Sequence, residues 1–129
     1  MLMGPLRVVL LALTLAVAAG ASAVAAELVM FEKKGCPWCA AWMREVGQHY
    51  AHSDHAKLLP LRQVDIDEPR PAELAKFGEI RFTPTFVAIA CGEEVDRIIG
   101  YPGPDNFWER LDQAVAKLRS QRQAGDKTC

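Results

Sequence analysis

KKGCPWCAAW, residues 33–42, sets two cysteines two residues apart, with two lysines and a glycine before them and an apolar, helix-like run after. Three chemistries use that spacing: a metal claw, an inert structural disulfide, and a disulfide made and broken in turn. Zinc needs four ligands, and no second Cys-x-x-Cys or suitably spaced Cys/His pair completes a set. Haem attachment would need histidine at position 40, where the chain has Ala40. A bridge inside one helical turn closes too small a loop to stabilise a fold much. The favoured reading is a redox couple of Cys36 and Cys39.

Outward from the pair, ELVMFE at 27–32 has the pattern of a short buried strand ending at Lys33-Lys34-Gly35. Pro37 falls in the first turn of a helix, where proline is tolerated, and Trp38, Ala41, Trp42, Glu45, Val46 and Tyr50 follow at helical spacing. LRQVDID at 61–67 alternates as a strand, and RPAELAKFG at 70–78 reads as a short helix closed by Gly78. TPTFVAIACGEEVDRIIG at 83–100 is two strand runs joined by a hairpin at 91–94. GPDNFWERLDQAVAKLRS at 103–120 is a helix with Asp105 or Asn106 as its cap. The segment containing His49, His52 and His55 reads as a helix end running into a solvated loop, and no metal is expected there.

The order β-α-β-α-β-β-α predicts an α/β fold. A right-handed parallel β-α-β unit gains two more strands from the hairpin, giving a four-stranded mixed sheet flanked by helices. Cys36 then lies just past the carboxyl end of the first strand and at a helix N-terminus, where free N–H groups favour a thiolate, with Lys33 and Lys34 adding to the effect. Cys39, one turn further in, can attack a mixed disulfide formed at Cys36.

The ends of the chain are of a different character. Arg7 is the only charged side chain in the first 26 residues, and the apolar run after it gives way to ASAVAA, with small residues placed as a signal peptidase requires. Residues 1–26 are expected to be a signal peptide, with an uncleaved membrane anchor as the competing reading; residues 27–120 form the domain and 121–129 a flexible tail. Either way the domain is exported, to the periplasm. With 15 Lys and Arg against 16 Asp and Glu in the whole chain, charge gives no reason to expect nucleic acid as a partner. All four cysteines lie in the exported part, where disulfides persist. Cys91 and Cys129 could staple the tail to the hairpin, a loop of nearly 40 residues that chain entropy values at roughly 3.5 to 4 kcal/mol.

Cys36-Pro37-Trp38-Cys39 after a first strand, with Thr83-Pro84 opening a later one and Gly100 before the last helix, resembles the thioredoxin superfamily. More narrowly, MFEKKGCPWC, FTPTFV and GYPGPDNFW look like the periplasmic SoxS-type thioredoxins associated with bacterial sulfur-oxidation (Sox) systems. The resemblance implies a minimal thioredoxin-like core in which Pro84 is cis and faces the dithiol. It also implies that the Thr83 backbone pairs with substrate peptide, with Pro37 and Trp38 on the same binding face. Two departures stand out. The cysteine motif follows the expected cleavage site by only about ten residues, where thioredoxins proper begin with an extra strand and helix. Met30 also occupies the position, six before the first cysteine, of a buried acid that helps move the second cysteine's proton, leaving Glu32 or water as the base for Cys39.

The expected function is that of a dithiol-disulfide oxidoreductase, mainly a reductant of protein disulfides, with Cys36 as nucleophile and Cys39 as resolving thiol. The resemblance points to the sulfur-carrying protein of a Sox system as partner. A membrane thiol electron donor would recharge the dithiol; no cofactor is expected, and a monomer is. The alternatives are a disulfide oxidant or isomerase on the same fold, and a non-catalytic binding module that tolerates loss of its cysteines.

Overall fold

The computed structural model describes residues 26–124. Residues 1–25 of the expected signal segment 1–26, and Cys129, lie outside the described residues, and among those described no helix is long and apolar enough to cross a membrane. Strand β1 (Ala26–Glu32) leads into helix α1 (Pro37–Trp42), which runs on through a π-helical stretch (Met43–Gly47) into α2 (Gln48–Tyr50). Helix α3 (Asp54–Leu58), strand β2 (Leu61–Asp65), a 3-10 helix (Ala72–Phe77), strands β3 (Thr85–Ala90) and β4 (Glu93–Ile99), and helix α4 (Pro104–Gln123) follow. The strands lie in the order β2-β1-β3-β4, with β1 and β2 parallel and the other two pairs antiparallel. This is the four-stranded mixed sheet flanked by helices that the sequence predicts.

Alternation along β1 builds two cores. Leu28 and Met30 face α1 and α4 and pack with Cys39, Trp42, Tyr50, Phe86, Phe107 and Leu111. Val29 and Phe31 face the other side and pack with Leu74, Phe77, Ile80 and Val87. Because β1 and β3 are covered on both faces, their sequences read as nearly unbroken apolar runs. The centre of the larger core is aromatic: the Trp42 ring meets Phe86 at 5.1 Å and Phe107 at 5.5 Å between centroids.

Several local readings need correction. The second helix is 3-10 rather than α, ending at Gly78 with φ +76°. The segment after Tyr50 forms α3, because the Ser53 hydroxyl accepts the Ala56 N–H and caps a fresh turn. Gly103, not Asp105 or Asn106, precedes the first residue of α4, with Pro104 at N1. Helix α4 also continues to Gln123, past the expected end at 120. The π-helical stretch carries no sequence signal, but Gly47 shows what it needs: a Cβ there would come within 3.1 Å of the Trp42 ring and 3.2 Å of Met43 Sδ.

At the sheet's outer margin, β4 shifts register against β3 at Ala88/Ile89, and the Arg110 guanidinium donates to the Arg97 carbonyl oxygen.

Tyr50 closes the bottom of the larger core, its hydroxyl donating to the buried Leu59 carbonyl at 2.6 Å. Burial pushes the phenol above its ordinary value of 10.0. The folded chain therefore keeps a proton that the unfolded chain loses once pH passes about 10, so this part of the stability is complete below that pH and falls as pH rises beyond it. Tyr50→Phe leaves the Leu59 carbonyl without its donor and is expected to cost about 1–3 kcal/mol at neutral pH. In urea unfolding, the variant should also lose less further stability between about pH 9 and 11 than the parent chain.

Candidate active site

Gly35, with φ +77°, turns the chain from β1 into α1, a conformation that L side chains rarely adopt. Cys36 is the residue before the helix, with extended backbone (φ −74°, ψ 111°), and its sulfur accepts the Cys39 N–H at 3.1 Å. Pro37 occupies the first helical position, where its missing N–H costs nothing. Cys36 and Cys39 are joined by a disulfide with their Cα atoms 5.3 Å apart. The two sulfurs differ in setting: Cys36 is half-buried, whereas Cys39 is 5% exposed and belongs to the core. Only Cys36 offers its outer side to an incoming partner. A sulfur at a helix start that already accepts an N–H bond is also the one whose thiolate form is favoured.

The Thr83-Pro84 segment lies against this pair. The Cys36 sulfur is 3.3 Å from the Thr83 carbonyl oxygen, and the Thr83-Pro84 peptide bond is cis. Two hydrogen bonds fix the segment: Thr85 Oγ1 donates to the Phe82 carbonyl at 2.7 Å, and the Gly100 N–H donates to the Pro84 carbonyl at 2.8 Å. Four of the residues marked out by the sequence, Cys36, Cys39, Thr83 and Pro84, are thus brought together, and Trp38 stands on the helix beside them, 63% exposed. Lys33 and Lys34 are exposed; the Lys33 ammonium sits 3.4 Å from Asp67.

Other residues flanking the Thr83-Pro84 segment carry no motif. Phe82 and Ile99 are each 65% exposed and line one small hollow with Thr85 and Arg97. Tyr101 follows Gly100 and donates to Glu45 at 2.5 Å, tying the β4–α4 loop to the π-helical stretch. Burial and the Glu45 carboxylate hold its phenol above the ordinary value. An apolar residue beside Thr-Pro was the one available signal for Phe82. Ile99 is brought opposite Thr85 by strand register, and Tyr101 follows through the hydrogen bond from the Gly100 N–H to the Pro84 carbonyl.

Cys91 turns the β3–β4 hairpin with φ +50° and is not a free thiol. His55 lies 2.6 Å from Asp112, bridging α3 to α4, and among the described residues no three His, Cys, Asp or Glu side chains are grouped as a metal would need.

A family model for the thioredoxin-like domain matches residues 12–115. The chain belongs to the thioredoxin-like family. Among solved structures, the periplasmic thioredoxin SoxS from Paracoccus pantotrophus, in its reduced form, is 36% identical, with a TM-score of 0.66 over 72% of this chain and 98% of that one. A thioredoxin from Thermus thermophilus is 29% identical, with a TM-score of 0.59 over 71% of this chain and 75% of the other. The Malassezia sympodialis thioredoxin, at 22% identity and a TM-score of 0.56 over 70% and 75% of the two chains, shares the fold. Comparison with curated protein sequences gives no match. A thioredoxin-like domain with a Cys-x-x-Cys pair in disulfide contact is a dithiol-disulfide oxidoreductase, and its substrates are protein disulfides.

Proposed function

We propose that the protein is a periplasmic reductant of protein disulfides, acting on the sulfur-carrying protein of a Sox-type sulfur-oxidation system. The observation that carries this reading is the asymmetry of the pair: an accessible Cys36 beside the Thr83 carbonyl, and a Cys39 sealed in the core. In the proposed cycle the Cys36 thiolate attacks one sulfur of the partner's disulfide. A mixed disulfide forms, and the partner's other sulfur leaves as thiolate and takes a proton from water. Cys39 then loses its proton and attacks the Cys36 sulfur, expelling the second partner thiolate. Two electrons pass to the partner, and the Cys36–Cys39 disulfide remains. Thr83 and Pro84 would hold the substrate backbone across the pair, with Pro37 and Trp38 on its flank.

The periplasmic assignment rests on the likeness to a periplasmic thioredoxin and on residues 1–26 as export signal. A net reductant in an oxidising compartment must be recharged, so the reading includes a membrane thiol electron donor. In cells without that donor the dithiol should be found oxidised; finding it reduced would sink this part of the reading.

The deciding measurement is the equilibrium potential of the Cys36/Cys39 couple, titrated against dithiothreitol and read by alkylation mass. A value of about −250 mV or lower fits a reductant, whereas one near −120 to −150 mV would transfer the reading to disulfide donation. The same masses show whether Cys91 and Cys129 form the proposed second bridge: both should stay unalkylated until the chain is unfolded and reduced. Retained partner reduction by a variant lacking both Cys36 and Cys39 would instead favour the non-catalytic binding module.

A further inference from the structure

The loop between β4 and α4, residues 100–103, has little stiffness of its own. Glycines with positive φ bound it, Gly100 at +80° and Gly103 at +93°. Its second half is fastened to α4: the Asn106 side-chain amide donates to the Pro102 carbonyl at 3.2 Å, and the Phe107 N–H to the Gly103 carbonyl at 3.0 Å. The first half has a different anchor. The Tyr101 hydroxyl donates to Glu45 Oε2 at 2.5 Å, which joins the loop to the helical run that Cys36 caps.

These contacts close a ring around the dithiol. From Glu45 the helical run leads back to Cys36, whose sulfur lies 3.3 Å from the Thr83 carbonyl oxygen. Pro84 follows across the cis bond and accepts the Gly100 N–H at 2.8 Å. Tyr101, the next residue, returns to Glu45. Apart from the sulfur itself, the ring is main chain except at Tyr101 and Glu45, so a change of side chain can open it there without altering the backbone.

The two residues suit that role. Glu45 is exposed and sits in the π-helical stretch, whose i→i+5 bonding widens the turn and so sets the direction in which it leaves the helix. The Tyr101 ring packs edge-on against Phe107 at 6.4 Å between centroids, a contact that phenylalanine would keep.

We propose that Tyr101 and Glu45 form a brace that sets the Thr83-Pro84 segment at its distance from Cys36, making both of them positioning residues for attack on a protein disulfide. The inference rests on the reading above in which Thr83 and Pro84 hold the substrate backbone. With the brace closed, the segment is in place before the partner arrives, and none of the binding energy is spent on ordering it. With the brace open, the partner must order the loop as it docks. The loss then falls on docking and not on the sulfur chemistry, so a small disulfide that spans no backbone is indifferent to it.

The test uses the reduced full-length protein and two disulfides with one leaving group, thionitrobenzoate joined either to a cysteine-containing peptide or to mercaptoethanol. Cys36 bonds to the peptide or mercaptoethanol sulfur, and the thionitrobenzoate released is followed by its colour in stopped flow. Tyr101→Phe should lower the second-order rate with the peptide roughly three- to tenfold, while the rate with the mercaptoethanol disulfide stays within about twofold of the parent's. Glu45→Ala should do the same. Glu45→Gln, whose amide oxygen still accepts the phenol, should recover most of the peptide rate, and the double variant Tyr101→Phe/Glu45→Ala should be no slower than either single one. Losses that add, losses equal for both disulfides, or an unchanged peptide rate in both single variants would overturn the brace. Thermal melts show whether each variant folds, and Glu45→Ala, at an exposed position, carries the test if Tyr101→Phe does not. A parent protein that takes the peptide no faster than the mercaptoethanol disulfide would overturn the reading that Thr83 and Pro84 hold the substrate backbone.

Discussion

Cys36→Ser is expected to abolish partner reduction, with a loss on the order of 10³-fold or more, while leaving the fold intact. Only the sulfur at position 36 combines an open side, an N–H bond from Cys39 and the Thr83 carbonyl at 3.3 Å. A serine hydroxyl there is almost never ionised at neutral pH, and an alkoxide is a poor partner for sulfur exchange. Cys39→Ser should behave differently. The first attack still proceeds, but no thiol remains to resolve the product, and the chain accumulates as a covalent complex with its substrate. Mixing each variant with a peptide disulfide and weighing the products distinguishes the two: no adduct for Cys36→Ser, a lasting adduct for Cys39→Ser. An adduct of equal yield from both would mean that the roles of the two sulfurs are not divided as the burial pattern requires.

Trp42→Ala should have the largest effect on stability. The indole is fully buried and meets Tyr50, Phe86 and Phe107 at 5.1 to 6.1 Å between ring centroids. Truncation of such a side chain costs about 3–5 kcal/mol, from the lost transfer of apolar surface and the cavity left behind. The cavity would open directly under the helix that carries the cysteines, because Trp42 follows Cys39 by three residues. Urea unfolding of the oxidised variant gives the loss, and a value under about 1 kcal/mol would show that the neighbouring rings collapse into the space. Trp42→Phe keeps most of the contact and should lose much less.

What could be read in the sequence was local chemistry. The proline at the first helical position, the cysteine spacing and the alternation of β2 are each decided within a few residues, and each appears where the sequence puts it. The mixed character of the sheet followed from the parallel crossover and the hairpin, whereas its strand order, β2-β1-β3-β4, did not. Features that depend on distant neighbours were hidden. Ser53 caps α3 inside a polar stretch with no helical periodicity, and the π-helical stretch depends on Gly47 leaving room for the Trp42 ring. At the site, Thr83 and Pro84 were legible because they sit in a short motif. Ile99 and Tyr101 are brought beside the Thr83-Pro84 segment only through the pairing of β4 with β3 and the hydrogen bond from Gly100 to Pro84.

The treatment of the sheet margins sets how copies of the molecule meet one another. An open strand edge is a template on which a second chain can add, and repetition of that event is the route to fibrous aggregates. Here β2 is only five residues long, while β4 carries an extra residue, Val95, opposite Ala88/Ile89 of β3 and has its Arg97 carbonyl occupied by Arg110. Growth strand upon strand is blunted on both sides. Among the described residues, three of the large apolar side chains left exposed are Trp38, between the cysteines, and Phe82 and Ile99, flanking the Thr83-Pro84 segment and its neighbour Thr85, so exposed apolar surface gathers at the end of the molecule that carries the dithiol rather than along the strand edges.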